Sequence, residues 1–169
     1  MSAVDIAIIE ADLSRPEHQE ATVYLLNAYA MDPMGDGRPL SEMARREVIP
    51  GLRAHPTTLV FLAYHGTEPA GLAICFRGFS TFAARPLINI SDYFVFAEHR
   101  GHGIGRRLLE AIEAKALELG CCRLTLEVQE NNHHARRVYA AAGFAQAVYV
   151  PEAGGALYLS KTLTIVQQS

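Results

Sequence analysis

The sequence predicts an α/β (α+β) fold, a single domain over residues 1–169 in which a mixed central β-sheet carries helices on both faces. The composition is 50% hydrophobic and 20% charged over 169 residues, which is typical of one globular domain and excludes a disordered chain. A helix-like segment separates the strand-like segments 87–96 and 123–128, so we expect these two strands to be parallel. The remaining strands are expected to form an antiparallel meander.

The chain is expected to begin with a strand and a helix. Residues 4–9 are mostly apolar, as in a strand. Ser14 and Glu17 have the spacing of a capping box, with Ser14 as the cap. Pro16 suits the first helical turn, where a missing N–H costs little. We therefore expect a helix from Pro16 to about Ala30.

A second helix and a hairpin should follow. Ser41 is a candidate N-cap for a helix that runs through Ile49, and Pro50 is expected to disturb its end. Residues 57–65 and 70–79 are rich in β-branched, aromatic and apolar residues and are separated by a turn. They predict a β-hairpin.

The second half of the chain alternates strands and helices. The expected segments are a strand over 87–96, a helix over 105–119, a strand over 123–128, a helix over 132–142 and two late strands over 145–150 and 157–163. Gly120 and Gly143 follow the two helices, as glycine commonly does at a helix C-terminus.

Charge and cysteine content restrict the expected partners and location. Lys and Arg total 15 and Asp and Glu total 18, so the net charge is −3 and no broad basic surface is implied. We therefore expect neither nucleic acid nor a membrane as a partner. Three cysteines without a CxxC motif favour a reducing compartment, and the first ten residues do not resemble a signal peptide. The expected location is cytoplasmic.

The segment YFVFAEHRGHGIGRR, residues 93–107, carries the strongest functional signal. An apolar strand runs into a glycine-rich turn that opens a helix. Glycines let the backbone approach a ligand closely, and a helix N-terminus attracts a phosphate through its free N–H groups. The candidate phosphate-binding residues are Arg100, Gly101, His102, Gly103, Ile104, Gly105 and Arg106.

Several interpretations of this loop compete. The simplest is an ordinary strand-to-helix turn. A Rossmann site is disfavoured because the glycines give GxGxG rather than GxGxxG, and a P-loop because no GK[ST] follows. The remaining interpretation is a site for the pyrophosphate of coenzyme A.

Two blocks resemble the GNAT family of N-acetyltransferases. Arg-x-x-Gly-x-Gly at 100–105 is similar to the family's acetyl-CoA motif. A second block, Leu124-x-Leu126-x-Val128-x-x-x-Asn132-x-x-Ala135-x-x-x-Tyr139-x-x-x-Gly143-Phe144, is similar to its next strand and helix. Both blocks occur in the family's order. The resemblance implies direct transfer of acetyl from acetyl-CoA to a primary amine of a small molecule, in a ternary complex.

The resemblance also implies roles for particular residues. The backbone of Tyr93, Phe94 and Val95 would pair with the pantetheine amides beside a bulge in the strand, and the N–H of Val95 would polarise the thioester carbonyl. Asn132 would hold the coenzyme or an ordered water. Tyr139 would be the general acid, because a phenol can protonate a departing thiolate. A tyrosine that only packs in the core is the alternative for this position.

Candidates for the general base are less specific. Polyamine-acetylating relatives carry a glutamate where this chain has Ser91. Asp92 and Glu127 are the candidates that remain, because an ammonium must lose a proton before it attacks. Either carboxylate could equally be solvated or paired for structural reasons.

The acceptor side is assigned to the early helices and the loop between them. Tyr29, Asp32 and Asp36, together with Tyr24, would suit a cationic amine through aromatic and ionic contacts, although a solvated loop explains the same residues. We expect no metal site, because the adjacent His133 and His134 are poorly placed to share an ion, and lone Cys75 lies in an apolar run.

Two rival functions remain. The acceptor could be a protein N-terminus or a lysine, or the chain could be a non-catalytic regulatory module that binds CoA. Family members are often dimers, so a homodimer is one candidate assembly.

Overall fold

The computed structural model describes residues 5–163. One five-stranded sheet and four helices form the fold, in an order that agrees with the sequence analysis up to residue 142. The elements are β1 (Ile6–Glu10), α1 (Pro16–Met31), α2 (Glu42–Ala54), β2 (Thr58–His65), β3 (Glu68–Ser80), β4 (Arg85–Val95), α3 (Ile104–Glu118), β5 (Leu124–Leu126) and α4 (His133–Ala141). No helix among the described residues combines the length and apolar composition that a membrane crossing requires.

The sheet is mixed, as predicted. Its strands follow the order β1-β2-β3-β4-β5; the first four are antiparallel and β5 runs parallel to β4. The α3 crossover makes this parallel pair possible, because a tight turn joins only antiparallel neighbours.

Each face of the sheet carries its own core. On one face, β-strand residues such as Ile88 and Val95 pack against Leu108 and Ile112 of α3 and Tyr139 of α4. The opposite face packs against α1 and α2, and its buried residues are Ala21, Leu25, Leu52, Val60, Leu62, Leu72, Ile74 and Phe94. The prediction of helices on both faces is therefore confirmed.

The predicted helix boundaries are correct for some ends and wrong for others. Ser41 caps α2 as expected, because its Oγ accepts a hydrogen bond from the Ala44 N–H at 3.1 Å. The cap predicted for α1 is wrong: the helix follows Arg15, and the Ser14 N–H instead donates to the Asp12 carboxylate at 2.9 Å.

Pro50 does not end α2, contrary to expectation. The helix continues to Ala54 with Pro50 inside it. Ile49 and Leu52, on either side of the proline, are each 8% exposed. Packing of these side chains outweighs the lost backbone hydrogen bond, whose local cost is about 3 kcal/mol in an unsupported helix.

The two late strands predicted over 145–150 and 157–163 do not form. The segment contains one short 3₁₀ turn, Pro151–Ala153, and no strand. Its apolar side chains are exposed, including Tyr149, Leu157 and Leu159. The neighbouring edge of the sheet is β5, which ends at Leu126 rather than at Val128. A strand of three residues offers few backbone groups for further pairing, which explains why alternating apolar residues alone did not extend the sheet.

Strands β4 and β5 separate soon after they meet. Their pairing covers Ile88–Leu124, Asn89–Thr125 and Ile90–Leu126, whereas β4 continues to Val95. A β-bulge falls at the point of separation, since Ile74 pairs with Asp92 and the next residue of β3 pairs with Ile90. The last part of β4 therefore has β3 on one side and a gap on the other.

Candidate active site

The end of β4 presents backbone donors to this gap that no described strand pairs with. The Phe96 N–H donates to the Ala70 carbonyl of the β3 side at 3.1 Å. Because hydrogen-bonding groups alternate between the two edges of an antiparallel strand, the N–H groups of Tyr93 and Val95 point to the opposite edge. The bulge at Ser91 contributes to this arrangement, because the extra residue shifts which N–H groups face the gap. The bulge lies two residues before the stretch assigned to pantetheine.

The glycine-rich loop opens α3 with free N–H groups. Gly101 and Gly103 both have φ of +80°, which side-chain-bearing residues rarely adopt. Gly103 precedes α3 without a capping side chain, and the first helical bond runs from the Arg107 N–H to the Gly103 carbonyl at 3.0 Å. The N–H groups at 104–106 consequently have no acceptor within the helix, an arrangement that suits an anion.

The basic side chains of the loop point in different directions, and not all of them are solvent-exposed without contacts. Arg106 is exposed and lies 3.6 Å from Glu110, and His102 is exposed on the loop itself. Arg100 turns away from the free N–H groups: its Nε donates to the Val95 carbonyl at 2.9 Å and its Nη2 to the Asp32 carboxylate at 3.0 Å. Arg106 thus keeps an exposed side chain with only a long ion pair on the helix surface, whereas Arg100 joins two protein segments.

Tyr139 lies on the α3 and α4 side of the gap, in an aromatic cluster. Its ring centroid is 5.4 Å from that of Tyr93 and 5.9 Å from that of Phe144. Tyr139 is 7% exposed, and burial, with a further contribution from Tyr29, raises its pKa above the ordinary value. The phenol is therefore protonated at neutral pH and available as a hydrogen-bond donor.

Tyr93 carries a buried hydroxyl group that has no hydrogen-bond partner among the described residues. Burial and the neighbouring Tyr139 raise its pKa. A Cβ built on Gly105 would lie 2.5 Å from this hydroxyl oxygen. The third glycine of the loop is thus explained by the close approach of Tyr93, since its φ is not left-handed.

Asp92 faces the other side of the sheet. Strand alternation puts its side chain on the α1 face with Phe94, and desolvation raises the pKa of its carboxyl group. Asp92 in turn raises the pKa of Tyr29, after the larger effect of burial. Within residues 5–163 neither an ion pair nor a side-chain hydrogen bond reaches the Asp92 carboxylate. A partly buried, unpaired carboxyl group is suited to exchange a proton.

An aromatic wall continues from Asp92 along the same face. The Tyr29 ring stacks on Phe94 with centroids 5.7 Å apart, Phe96 lies 5.2 Å from Phe94, and Tyr24 lies 5.5 Å from Phe96. The sequence analysis named Tyr24 and Tyr29 but missed the rings of Phe94 and Phe96. The alternation of Asp92, Phe94 and Phe96 at every second position was the signal that could have revealed them.

The remaining predicted site residues belong neither to the glycine-rich loop nor to the aromatic wall. Asp36 is exposed and lies 3.7 Å from Arg38, and Glu127 is exposed beyond the end of β5. Strand alternation says nothing about where the Glu127 side chain points, because β5 ends at Leu126. Asn132 caps α4, because its Oδ1 accepts from the Ala135 N–H at 3.1 Å.

Three histidines meet beside the loop, and the sequence analysis named only His102 among them. The Nδ1 atoms of His65 and His99 lie 3.3 Å apart, and the His65 ring stacks on His102 with centroids 6.5 Å apart. They come from β2 and the glycine-rich segment, and no spacing in the sequence signals their contact.

The sequence analysis also considered two adjacent histidines as metal ligands and one cysteine as a nucleophile. His133 and His134 are exposed on α4. Cys75 is fully buried, and burial raises the pKa of its thiol to about 12, which suits an inert core residue rather than a nucleophile.

Comparison of the chain with known protein families gives an independent indication of its class. The model of the acetyltransferase (GNAT) family matches residues 20–144. The chain therefore belongs to the GNAT acetyltransferase family.

Individual relatives are more distant. Thialysine N-epsilon-acetyltransferase of Bos taurus is 34% identical over 73 residues, which are 43% of this chain and 42% of that protein. An uncharacterized N-acetyltransferase of Archaeoglobus fulgidus is 36% identical over 97 residues, 57% of this chain and 63% of that protein. The chain thus spans less than two thirds of the length of either relative. A crystal structure of a probable acetyltransferase has the same fold, with a TM-score of 0.75 at 20% identity over 96% of this chain and 99% of that chain.

We expect Gly105→Ala to destabilise the protein by about 1–3 kcal/mol, because the new methyl group would overlap the Tyr93 hydroxyl group. Chemical denaturation measures the free energy of unfolding. Tyr93→Phe removes the obstructing oxygen, so the double variant should recover most of the loss. Equal destabilisation of both backgrounds would contradict this explanation of Gly105.

We expect Asp92→Asn to raise the thermal unfolding midpoint at neutral pH and to lose this advantage in acid. The raised pKa of Asp92 means that the folded state binds the proton more tightly than the unfolded chain, whose carboxyl group titrates near 3.8. The resulting stability is present below that value and is lost as the pH rises through the folded-state pKa. Thermal denaturation from about pH 4 to about pH 8 measures the trend. The exposed Asp36→Asn serves as the control, and a midpoint difference for Asp92→Asn that does not change with pH would disprove the assignment.

Proposed function

We propose that this protein is an N-acetyltransferase that transfers acetyl from acetyl-CoA directly to a primary amine of a small molecule, in a ternary complex. The observation that carries the proposal is the gap between β4 and β5. Unpaired backbone donors line one side of it, a free helix N-terminus lies at its end, and the buried Tyr139 closes the α3 and α4 side.

The chain offers groups that fit each part of the coenzyme. The N–H groups of Tyr93 and Val95 suit the amides of an extended pantetheine arm, since they are spaced as in a strand that lacks its partner. The α3 N-terminus and Arg106 suit the pyrophosphate. Acetyl-CoA supplies the acetyl group as a thioester, and the Val95 N–H polarises the thioester carbonyl.

Tyr139 is proposed as the general acid. Its raised pKa keeps the phenol protonated, so it can donate its proton to the sulfur as the carbon–sulfur bond breaks. The proton then returns to Tyr139 from solvent or from the amine that has reacted.

Asp92 is proposed to help remove the proton of the acceptor. It lies on the α1 face beside Tyr29, where an amine would enter along the aromatic wall. The wall of Tyr24, Tyr29, Phe94 and Phe96 suits a cationic substrate before it is deprotonated. The similarity to a thialysine N-epsilon-acetyltransferase supports a small amine as the acceptor class.

Calorimetric titration tests the coenzyme site directly. We expect coenzyme A to bind and pantetheine, which lacks the pyrophosphate, to bind at least about tenfold more weakly, because it makes no contact with the α3 N-terminus. Equal binding of both would contradict the assignment of the loop. Absence of any coenzyme binding would overturn the proposed function.

Tyr139→Phe tests catalysis separately from binding. The variant keeps the ring that packs against Tyr93 but loses the acidic proton, so we expect kcat to fall about 10²-fold or more with little change in coenzyme affinity. Release of free thiol with a panel of small amines and peptides measures the rate. Coenzyme binding without turnover on any acceptor would favour the regulatory module, and turnover on peptides alone would favour a protein acceptor.

A further inference from the structure

We infer that the ion pair of Arg100 with Asp32 acts as a strap, a contact that holds two loops together. It joins the glycine-rich segment 100–106, here called the coenzyme loop, to the segment 32–41 between α1 and α2, here called the acceptor loop. Asp32 is then a positioning residue for coenzyme binding. The inference rests on the proposed function, because the loop that Arg100 begins is the one assigned to the pyrophosphate. It departs from the sequence analysis, which assigned Arg100 to the phosphate and Asp32 to the amine.

The Arg100 guanidinium group joins two elements at once. Its Nε donates to the Val95 carbonyl at 2.9 Å, and its Nη2 donates to Oδ2 of Asp32 at 3.0 Å. The planar, rigid fork of the guanidinium group makes both contacts with one orientation. The last residue of β4, the start of the glycine-rich loop and the end of α1 are thereby held together.

Asp32 is itself fixed within the acceptor loop. Its side chain is 16% exposed, and its other oxygen, Oδ1, accepts from the Met34 N–H at 2.9 Å. The Gly35 N–H donates to the Asp32 carbonyl at 2.8 Å, and a Cβ on Gly35 would overlap the Tyr29 carbonyl oxygen. Only glycine fits this turn, so the carboxylate is presented from a tightly folded segment.

The same loop also contacts the segment after β5. The Gln129 side-chain amide donates to the Met34 carbonyl at 3.1 Å. The turn 32–35 therefore bridges the two sides of the gap at the end where β4 and β5 have separated. Displacement of this turn would release Arg100 and with it the Val95 carbonyl and the first residue of the coenzyme loop.

A strap of this kind couples the two substrate sites. Because the strap holds the start of the coenzyme loop in place, a change in the acceptor loop that weakens the strap is expected to weaken coenzyme binding. The same coupling means that bound coenzyme and bound acceptor change each other's affinity by the same factor. A simple charge effect predicts the opposite sign, because removal of a carboxylate beside a polyanionic ligand lowers repulsion and leaves Arg100 free to approach a phosphate. The two explanations are therefore separable by the direction of one affinity change.

The experiment is titration calorimetry of coenzyme A with the full chain carrying Asp32→Asn. We expect the affinity to fall about 3- to 10-fold, the size of one charge-assisted hydrogen bond reduced by partial exposure. The effect should disappear when Arg100→Met is already present, because the strap is then absent. Unchanged or tighter binding by Asp32→Asn, or an equal loss in the Arg100→Met background, would overturn the inference.

Controls separate this result from folding and from the proposed function. Glu47→Gln removes a carboxylate from an exposed ion pair with Arg46 and should leave the coenzyme affinity unchanged. If Asp32→Asn does not fold, Arg100→Lys replaces it: the charge remains but the fork is lost, so weaker binding supports the strap and unchanged binding overturns it. Wild-type protein that binds no coenzyme A refutes the proposed function itself, whereas normal wild-type binding with an unaffected Asp32→Asn refutes only the strap.

Discussion

The early separation of β4 from β5 is the constraint on which the rest of the candidate site depends. Three residue pairs join these strands, and β4 then continues to Val95 with no paired strand on that edge among residues 5–163. Backbone donors left unpaired inside a sheet are unfavourable unless water or a ligand satisfies them. The gap therefore exposes polar backbone groups between the two apolar cores. It lies next to the N-terminus of α3, which begins at Ile104. This arrangement suits an extended, polar, anionic ligand.

Strand alternation places the side chains of β4 on the two faces of the sheet. Tyr93 and Val95 face α3 and α4, where Tyr139 provides a buried phenol, while Asp92 and Phe94 face α1. One short stretch of β4 thus supplies backbone donors along its edge and a carboxyl group and an aromatic ring on the α1 face, while Tyr139 of α4 packs against its other face through Tyr93. The bulge at Ser91 matters because it sets which residues of this stretch point in each direction.

Several features could be predicted because they depend on short-range pattern. The hairpin of β2 and β3, the cap at Ser41, the helix that follows Gly103 and the parallel pairing of β4 with β5 were all predicted from spacing and residue type. The errors arose where tertiary contacts compete with local preference. Pro50 lies within α2 because burial of its neighbours Ile49 and Leu52 holds the helix together. The late apolar segment lacks a strand because β5 is too short to extend the sheet.

The sequence by itself determined the family, the glycine-rich loop and the candidate acid, since these depend on neighbouring residues whose spacing is preserved in any conformation. Only the tertiary structure decided which groups are free. In the folded chain Arg100 forms an ion pair with Asp32, which is 68 residues away in the sequence, whereas the Arg106 side chain is exposed. The tertiary structure also brought Tyr93 against Gly105 and left Asp92 partly buried with no hydrogen-bond or ion-pair partner within residues 5–163. Such pairings are decided by through-space distance and burial, which the order of residues along the chain does not specify.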